Sequence, residues 1–356
     1  MKRIVIKVGS NVLAKTDGGL DLQRIRHLTE QLSDLRKQGI QIVLVSSGAV
    51  ASGRSMIQLP PKVDEVSRRQ VLAAIGQVKL LNIYADLFAK KNMLCAQVLV
   101  TKEDFRDREH YLNLQNCINT LLQNNVMPVV NENDVISVTE LMFTDNDELA
   151  GLVSGMVNAD KLIILSNIDG IYDGNPGDTS STVINKIPYG DKQFYKFITS
   201  EKSNFGRGGM LTKCSMANKV AGLGIEVHIA NGKKDNILTE IHRGKKTGTV
   251  FVPRKTTSGI KKWVAHSEGF AKGTIYIDEG ARKVLSSNTP TSLLPVGVVK
   301  VEGDFEKGDL IRICDQKGKY LGVGKSQYSA EKAIEIKGKK NHRPLIHYDY
   351  LFLHHI

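Results

Sequence analysis

The 356-residue sequence is poor in cysteine, holds a single tryptophan and has no long apolar run. Its four cysteines, Cys95, Cys117, Cys214 and Cys314, lie far apart with no Cys-x-x-Cys pair. That spacing argues against a disulfide scaffold or a thiolate zinc site and reads as free thiols of a cytoplasmic protein. The nine histidines form no His-Glu-x-x-His pattern, so no metal–histidine centre is expected. No apolar run approaches membrane-spanning length, so no membrane partner is expected. The one after Lys2-Arg3 is short and broken by Lys7, unlike a secretory leader. The phosphate loop GxxxxGK[ST] and the dinucleotide fingerprint GxGxxG do not occur.

What is present begins with charge. The formal net charge is +12, yet Lys and Arg are scattered and gather only in short runs such as Lys337-Gly338-Lys339-Lys340. A basic balance favours anionic partners in general and does not separate nucleotide substrates from RNA. The length favours two domains.

The first ten residues carry the sharpest signal. Ile4-Val5-Ile6 reads as a buried strand of a parallel sheet, and a lysine, Lys7, follows where burial should forbid one. Gly9 allows a close backbone approach, and Ser10 or Asn11 can cap a following helix. Strand, lysine, glycine and helix start together suit a phosphate at a strand's carboxyl end, although a basic residue fraying from an edge strand would look the same.

Further on, Leu22, Ile25, Leu28, Leu32 and Leu35 share one helical face that stops at Gly39. A second buried strand, Gln41 to Ser47, runs into the small-residue turn Gly48-Ala49-Val50-Ala51-Ser52-Gly53. A long helix is expected over about 64–92, a strand over 93–100, a helix from about 109 and a strand over 126–130. Alternating strands and helices imply an α/β fold with a mostly parallel sheet.

Two polar clusters follow apolar runs: Asn131-Glu132-Asn133-Asp134, then Thr144-Asp145-Asn146-Asp147-Glu148 opening a helix. One such cluster is ordinary capping; two can meet the amine and carboxylate of a small substrate or order nearby lysines. The strand Lys161 to Leu165 ends in Ser166-Asn167-Ile168-Asp169-Gly170, a turn that can line a nucleotide or only reverse the chain. The stretch Gly206-Arg207-Gly208-Gly209-Met210-Leu211-Thr212-Lys213 leads into a helix, and its glycines free backbone N–H groups for phosphate. After a basic segment from Pro253, short strand-like runs with glycine turns suggest a small β-barrel or half-barrel. The apolar ending, Tyr348 to Leu353, is expected to dock onto one of the domains.

Taken together, IVIKVGS, VSSGAVASG, NEND, TDND, SNIDGIY and GRGGMLTK resemble, in order and spacing, the amino acid kinase family. They are most similar to the branch that phosphorylates the γ-carboxylate of L-glutamate. The segment 268–349 resembles the PUA domain, through Asp278-Glu279-Gly280-Ala281, Ser292-Leu293-Leu294-Pro295-Val296-Gly297 and Lys307-Gly308-Asp309. The likeness covers nearly the whole chain and implies the three-layer amino acid kinase fold over 1–252, a linker over 253–267 and a mainly-β PUA-like domain over 268–349.

The likeness also implies ATP as co-substrate, Mg²⁺ with the nucleotide, and ATP-dependent conversion of L-glutamate to L-glutamyl 5-phosphate in proline biosynthesis. Proline as feedback inhibitor and a homo-oligomer are expected with it. By position, Lys7, Asp147 and Lys213 match the catalytic residues, and Ser47, Asp134 and Asn146 the glutamate-binding ones. Lys7, Gly9, Ser166, Asn167 and Arg207, Gly208, Gly209, Met210, Leu211, Thr212 and Lys213 match the ATP-binding segments. The family often has Thr where this chain has Arg207, which leaves that side chain's contact open. Two alternatives remain: a kinase of the same fold acting on another small acid, and an RNA-binding or RNA-modifying protein using the PUA-like domain. The second leaves Lys7, the two acidic–amide clusters and the glycine-rich stretch unexplained.

Overall fold

The computed structural model describes the chain except for residues 1, 16–17, 106, 138–142, 144, 177, 179, 192, 198–208, 255–270, 287–290 and 354–356. It divides into two compact units, Met1–Lys255 and Thr256–Ile356.

The first unit is built on strands β1 (Arg3–Val8), β2 (Gln41–Ser46), β3 (Leu94–Val100), β4 (Val126–Glu132), β5 (Lys161–Ser166), β6 (Lys186–Ile187), β7 (Glu226–Asn231) and β8 (Thr249–Phe251). They form one sheet in the order β3-β4-β2-β1-β5-β7-β8-β6. All neighbours run parallel except β7 and β8. β1 therefore lies in the middle, flanked by β2 and β5, and is buried from Ile4 onward. The helices are α1 (Ser10–Leu13), α2 (Leu22–Lys37), α3 (Ala49–Arg54), α4 (Glu65–Ala89), α5 (Arg108–Gln123), α6 (Asn146–Met156), α7 (Met210–Gly222) and α8 (Ile237–His242).

Side chains of a strand alternate between faces, and that alternation decides where Lys7 goes. Ile4, Ile6 and Val8 join a cluster with Ile25, Leu28 and Leu32 of α2 and Leu80, Tyr84 and Phe88 of α4. Lys7 thus takes the opposite face, on which α6 packs against β1. Asp residues start the longer helices: Asp21, Asp64 and Asp107 accept from the backbone N–H of Arg24, Ser67 and His110, as N-caps should. Gly39, at φ +81°, ends α2 where a left-handed residue is needed.

α3 and α4 cross unusually closely. A Cβ on Gly76 would lie 1.8 Å from the Ala49 carbonyl oxygen, and one on Gly53 would lie 2.0 Å from that of Leu72. This pair of glycines is what lets α4 sit so tightly on the turn after β2. α4 is also the one described helix with the length and hydropathy of a membrane span, a property the reading of apolar runs did not anticipate. In this fold it serves as a packed helix over α2, α3 and β3.

The second unit holds β9 (Gly273–Ile277), β10 (Val298–Gly303), β11 (Leu310–Asp315), β12 (Tyr320–Ser326) and β13 (Ile346–Leu353), with helices α9 (Glu279–Leu285) and α10 (Ala330–Ile336). The strands form a five-stranded mixed sheet in the order β10-β9-β11-β12-β13. Its own apolar cluster includes Ile275, Ile277, Ile311, Ile313, Leu321 and Ile346. The apolar ending packs, as expected, onto one of the domains, the second, as strand β13 paired antiparallel with β12, and Leu351 belongs to this unit's core.

Candidate active site

The carboxyl ends of β1, β2, β4 and β5 open into a cleft of about 540 Å³. This is where a parallel sheet collects its loops and helix N-termini. Lys7, Asp147 and Lys213 line it together. Lys7 Nζ lies 2.6 Å from Asp147 Oδ1, and Lys213 Nζ lies 2.9 Å from Asp147 Oδ2. One fully buried carboxylate thus bridges two ammonium groups that would otherwise repel each other.

Asp147 occupies the first turn of α6, where a helix N-terminus also favours an anion. Burial works to raise its carboxyl, but Lys7 and Lys213 overcome this and hold it below the usual carboxylate range. Burial likewise works against the Lys213 charge, and Asp147 outweighs it, leaving that ammonium harder to deprotonate than usual.

The two lysines come from distant parts of the chain, and α6 aligns them. Asp145, its N-cap, accepts through Oδ1 from the N–H of Asp147 and Glu148 at 2.9 and 3.0 Å. Its Oδ2 accepts from the Thr212 hydroxyl at 2.9 Å, which ties the first turn of α7 to that of α6. Burial, then the neighbouring Asp147 charge, push the Asp145 carboxyl up. Thr212 therefore supports the lysine beside it and does not line the cleft; nor does Leu211, which is exposed. Gly209 caps α7 and lines the cleft with Met210. Arg207 and Gly208, with most of the glycine-rich stretch, lie outside the described residues.

At the turn after β1 the expected helix cap shifts by one residue. Gly9 itself is the N-cap of α1, and Ser10 and Asn11 are its first helical residues. The Gly9 N–H is already bonded to the Leu165 carbonyl at 3.3 Å, so it is not offered to a phosphate. What Gly9 contributes is a close approach to β5: a Cβ there would stand 3.3 Å from the Leu165 carbonyl oxygen. Gly48, at φ +112°, makes the corresponding turn after β2, in a conformation that suits glycine.

Ser47, Asp134 and Asn146 line another part of the same cleft. Asn146 donates through Nδ2 to Ser47 Oγ at 2.8 Å and to Asn131 Oδ1 at 3.0 Å. Asn131 in turn donates to Gln77 Oε1 of α4 at 2.9 Å. Asp134 is paired with the Arg69 guanidinium, also from α4. Glu132 is buried and accepts from the Phe143 N–H, anchoring the segment between β4 and α6. Sequence reasoning missed Arg69 and Gln77, because neither stands near a motif; each becomes visible only through α4's closeness to β4.

Ser166 and Asn167 line the cleft beyond β5. Their turn is held by Asp169, which accepts from Asn231 Nδ2 at 2.8 Å and Lys234 Nζ at 2.7 Å. No group of three or more His, Cys, Asp and Glu side chains among the described residues is arranged to hold a metal ion. The carboxylates nearest the lysines are already engaged, Asp147 by two ammonium groups and Asp145 by N–H and hydroxyl donors. Such a set fits a magnesium carried on nucleotide phosphates better than one caged by protein oxygens.

The model of the amino acid kinase family matches residues 2–231, and that of the PUA domain matches residues 273–347. A glutamate 5-kinase of Bacteroides thetaiotaomicron is 53% identical over 99% of this chain and 98% of its own length. The glutamate 5-kinase of Chlorobaculum tepidum is 50% identical over 99% and 97%. Among solved structures, carbamate kinase from Giardia lamblia bound to AMP-PNP superposes at a TM-score of 0.52 with 19% identity, covering 71% of this chain and 99% of that one. Isopentenyl phosphate kinase from T. acidophilum gives 0.51 at 16% identity, covering 70% and 100%. Those two likenesses concern the fold of the first unit. With the sheet, the cleft and the full-length relatives in agreement, the chain belongs to the amino acid kinase family and carries a C-terminal PUA domain.

Proposed function

We propose that the protein transfers the terminal phosphoryl group of ATP to the γ-carboxylate of L-glutamate, giving L-glutamyl 5-phosphate and ADP. The observation that carries this is the Lys7–Asp147–Lys213 bridge beside the Ser47–Asn146–Asp134 cluster in one cleft. The full-length glutamate 5-kinase relatives support the same substrate.

A carboxylate is already a nucleophile at neutral pH, so the reaction needs no general base. It needs alignment of two anions and cancellation of the charge that builds on the transferring group. Lys7 and Lys213 supply that cancellation, and Asp147 holds them apart from each other and aimed into the cleft. Magnesium on the nucleotide neutralises further phosphate charge when bound. Ser47, Asn146 and Asp134 receive glutamate; Ser166, Asn167, Gly209 and Met210 border the nucleotide.

The proposal extends to a cytoplasmic enzyme of proline synthesis, open to feedback by proline and assembled as a homo-oligomer. It also places the kinase in 1–252 and the PUA-like domain in 268–349, joined by 253–267. An ADP-release assay over a panel of amino acids tests the central reading. Turnover with L-glutamate well above that with aspartate or other acids is expected; a preference for another acid overturns it.

A further inference from the structure

We propose that Gln77, a residue of α4 that does not line the cleft, is a positioning residue that sets which hydrogen-bonding groups the cleft shows to the amino-acid substrate. The proposal rests on the reading above, in which Asn146 and Ser47 meet glutamate.

A primary amide has two N–H donors and one acceptor oxygen. Both donors of Asn146 are engaged inside the protein, one by Ser47 Oγ and one by Asn131 Oδ1. What Asn146 can still offer a ligand is its Oδ1, an acceptor. An acceptor suits an ammonium group and opposes a carboxylate. Ser47, receiving a hydrogen bond on its oxygen, keeps its O–H to donate, which suits a carboxylate. The pair therefore presents one acceptor and one donor side by side, the pattern that an α-amino acid complements.

That polarity is not intrinsic to Asn146. The oxygen and nitrogen of an amide fill nearly the same space, so packing alone does not choose between the two flips. Asn131 has its oxygen toward Asn146 because its nitrogen is bound to Gln77 Oε1. Turned over, Asn131 would present N–H to Asn146, which would then turn its own oxygen inward and its N–H groups to the cleft. Gln77 Oε1, as the acceptor of the Asn131 N–H, is the partner that favours this flip of Asn131. Gln77 is 8% exposed. It also follows Gly76, the residue whose close contact with the Ala49 carbonyl locks α4 onto α3. The backbone that carries Gln77 is thus held where α4 crosses α3 closely.

The test uses the full chain with Gln77→Met, which keeps shape and loses the amide, and Gln77→Glu, which keeps an acceptor. Gln77→Met is expected to raise KM for L-glutamate about tenfold, the loss of one well-placed hydrogen bond. KM for ATP and the melting temperature should stay near wild type. Gln77→Glu should restore most of the glutamate affinity. Inhibition by glutarate, which lacks the ammonium, should change little in Gln77→Met, narrowing the gap between the two ligands. Should Gln77→Met fail to melt cooperatively, Gln77→Ala carries the same expectations. An unmoved KM for glutamate, equal rises in both KM values, or a Gln77→Glu enzyme as impaired as Gln77→Met overturns the positioning role while leaving the glutamate reading standing. Wild-type enzyme without glutamate turnover refutes that reading, and this proposal with it.

Discussion

Under the proposed function, the two ends of the cleft meet their ligands by opposite means. Around Asp147 the solution is charge: two ammonium groups on one buried carboxylate, fixed from three separate segments of the chain. Around Asn146 it is mostly neutral: Asn146 donates to Ser47 and to Asn131, and Asn131 donates to Gln77, with Asp134 paired to Arg69. Charge suits a group whose own charge rises during reaction; amides suit a ligand that must be told from near relatives. The expected effects of substitution differ accordingly.

The largest effect belongs to the charged end. Lys7→Ala and Lys213→Ala should each lower kcat by roughly 10²–10³, the usual loss when one donor to developing charge is removed. Steady-state kinetics beside a thermal melt measures it, and a folded variant with near-normal kcat would break the comparison. At the amide end the signature is a split in KM. Asp134→Ala should raise KM for glutamate about tenfold or more with KM for ATP nearly unmoved, since uniform binding is lost on one substrate only. Equal rises would show Asp134 to be structural, a partner of Arg69 and nothing more.

A subtler contrast lies in pH. Asp147 is held below its ordinary value of 3.8, so its stabilisation is present above that value and lost as pH falls further. Lys213 is raised above 10.5, so its share is present below that value and lost only as pH rises through the raised one. Asp147 and Lys213 should therefore keep their charges, and kcat with saturating substrates should be level from about pH 7 to 9. A titration step of enzyme origin inside that window would mean another group takes part.

The smallest change is expected from removing the second unit. Its strands, including β13, pair among themselves, and each unit has its own apolar cluster. A chain ending at Lys255 should melt cooperatively and keep glutamate-dependent turnover within about a factor of three, as domains with separate cores do. A folded fragment without turnover would show that the active site needs both units.

How much of this was legible beforehand follows from the range of each interaction. Lys7 stood out because a single strand's pattern is local: a charged residue in an apolar β-branched run announces itself. The alternation of strands and helices was equally local, and so was α4, found within a few residues of its ends. Short β6, two residues long, has no such pattern. The tail's burial is legible in its apolar run, but not its partner strand, because β12 lies more than twenty residues upstream. Arg69 and Gln77 were silent for the same reason. Each stands in an ordinary helix, and its meaning comes from β4, about sixty residues further along. Thr212 was placed with the nucleotide by its neighbours, whereas its hydroxyl is turned to Asp145.

The shared carboxylate has one more implication, for anyone who takes the site apart. Asp147 does not add a third contribution to those of two lysines; it makes them a single object. Removing it leaves two like charges side by side, and removing either lysine leaves the other over-attracted to a carboxylate meant for two. Thermodynamic cycles across the three positions should show coupling as large as the single effects themselves. A double variant lacking Asp147 and Lys213 should then be little worse than either alone. In such a trio the unit that selection can act upon is the whole, and single losses overlap instead of adding.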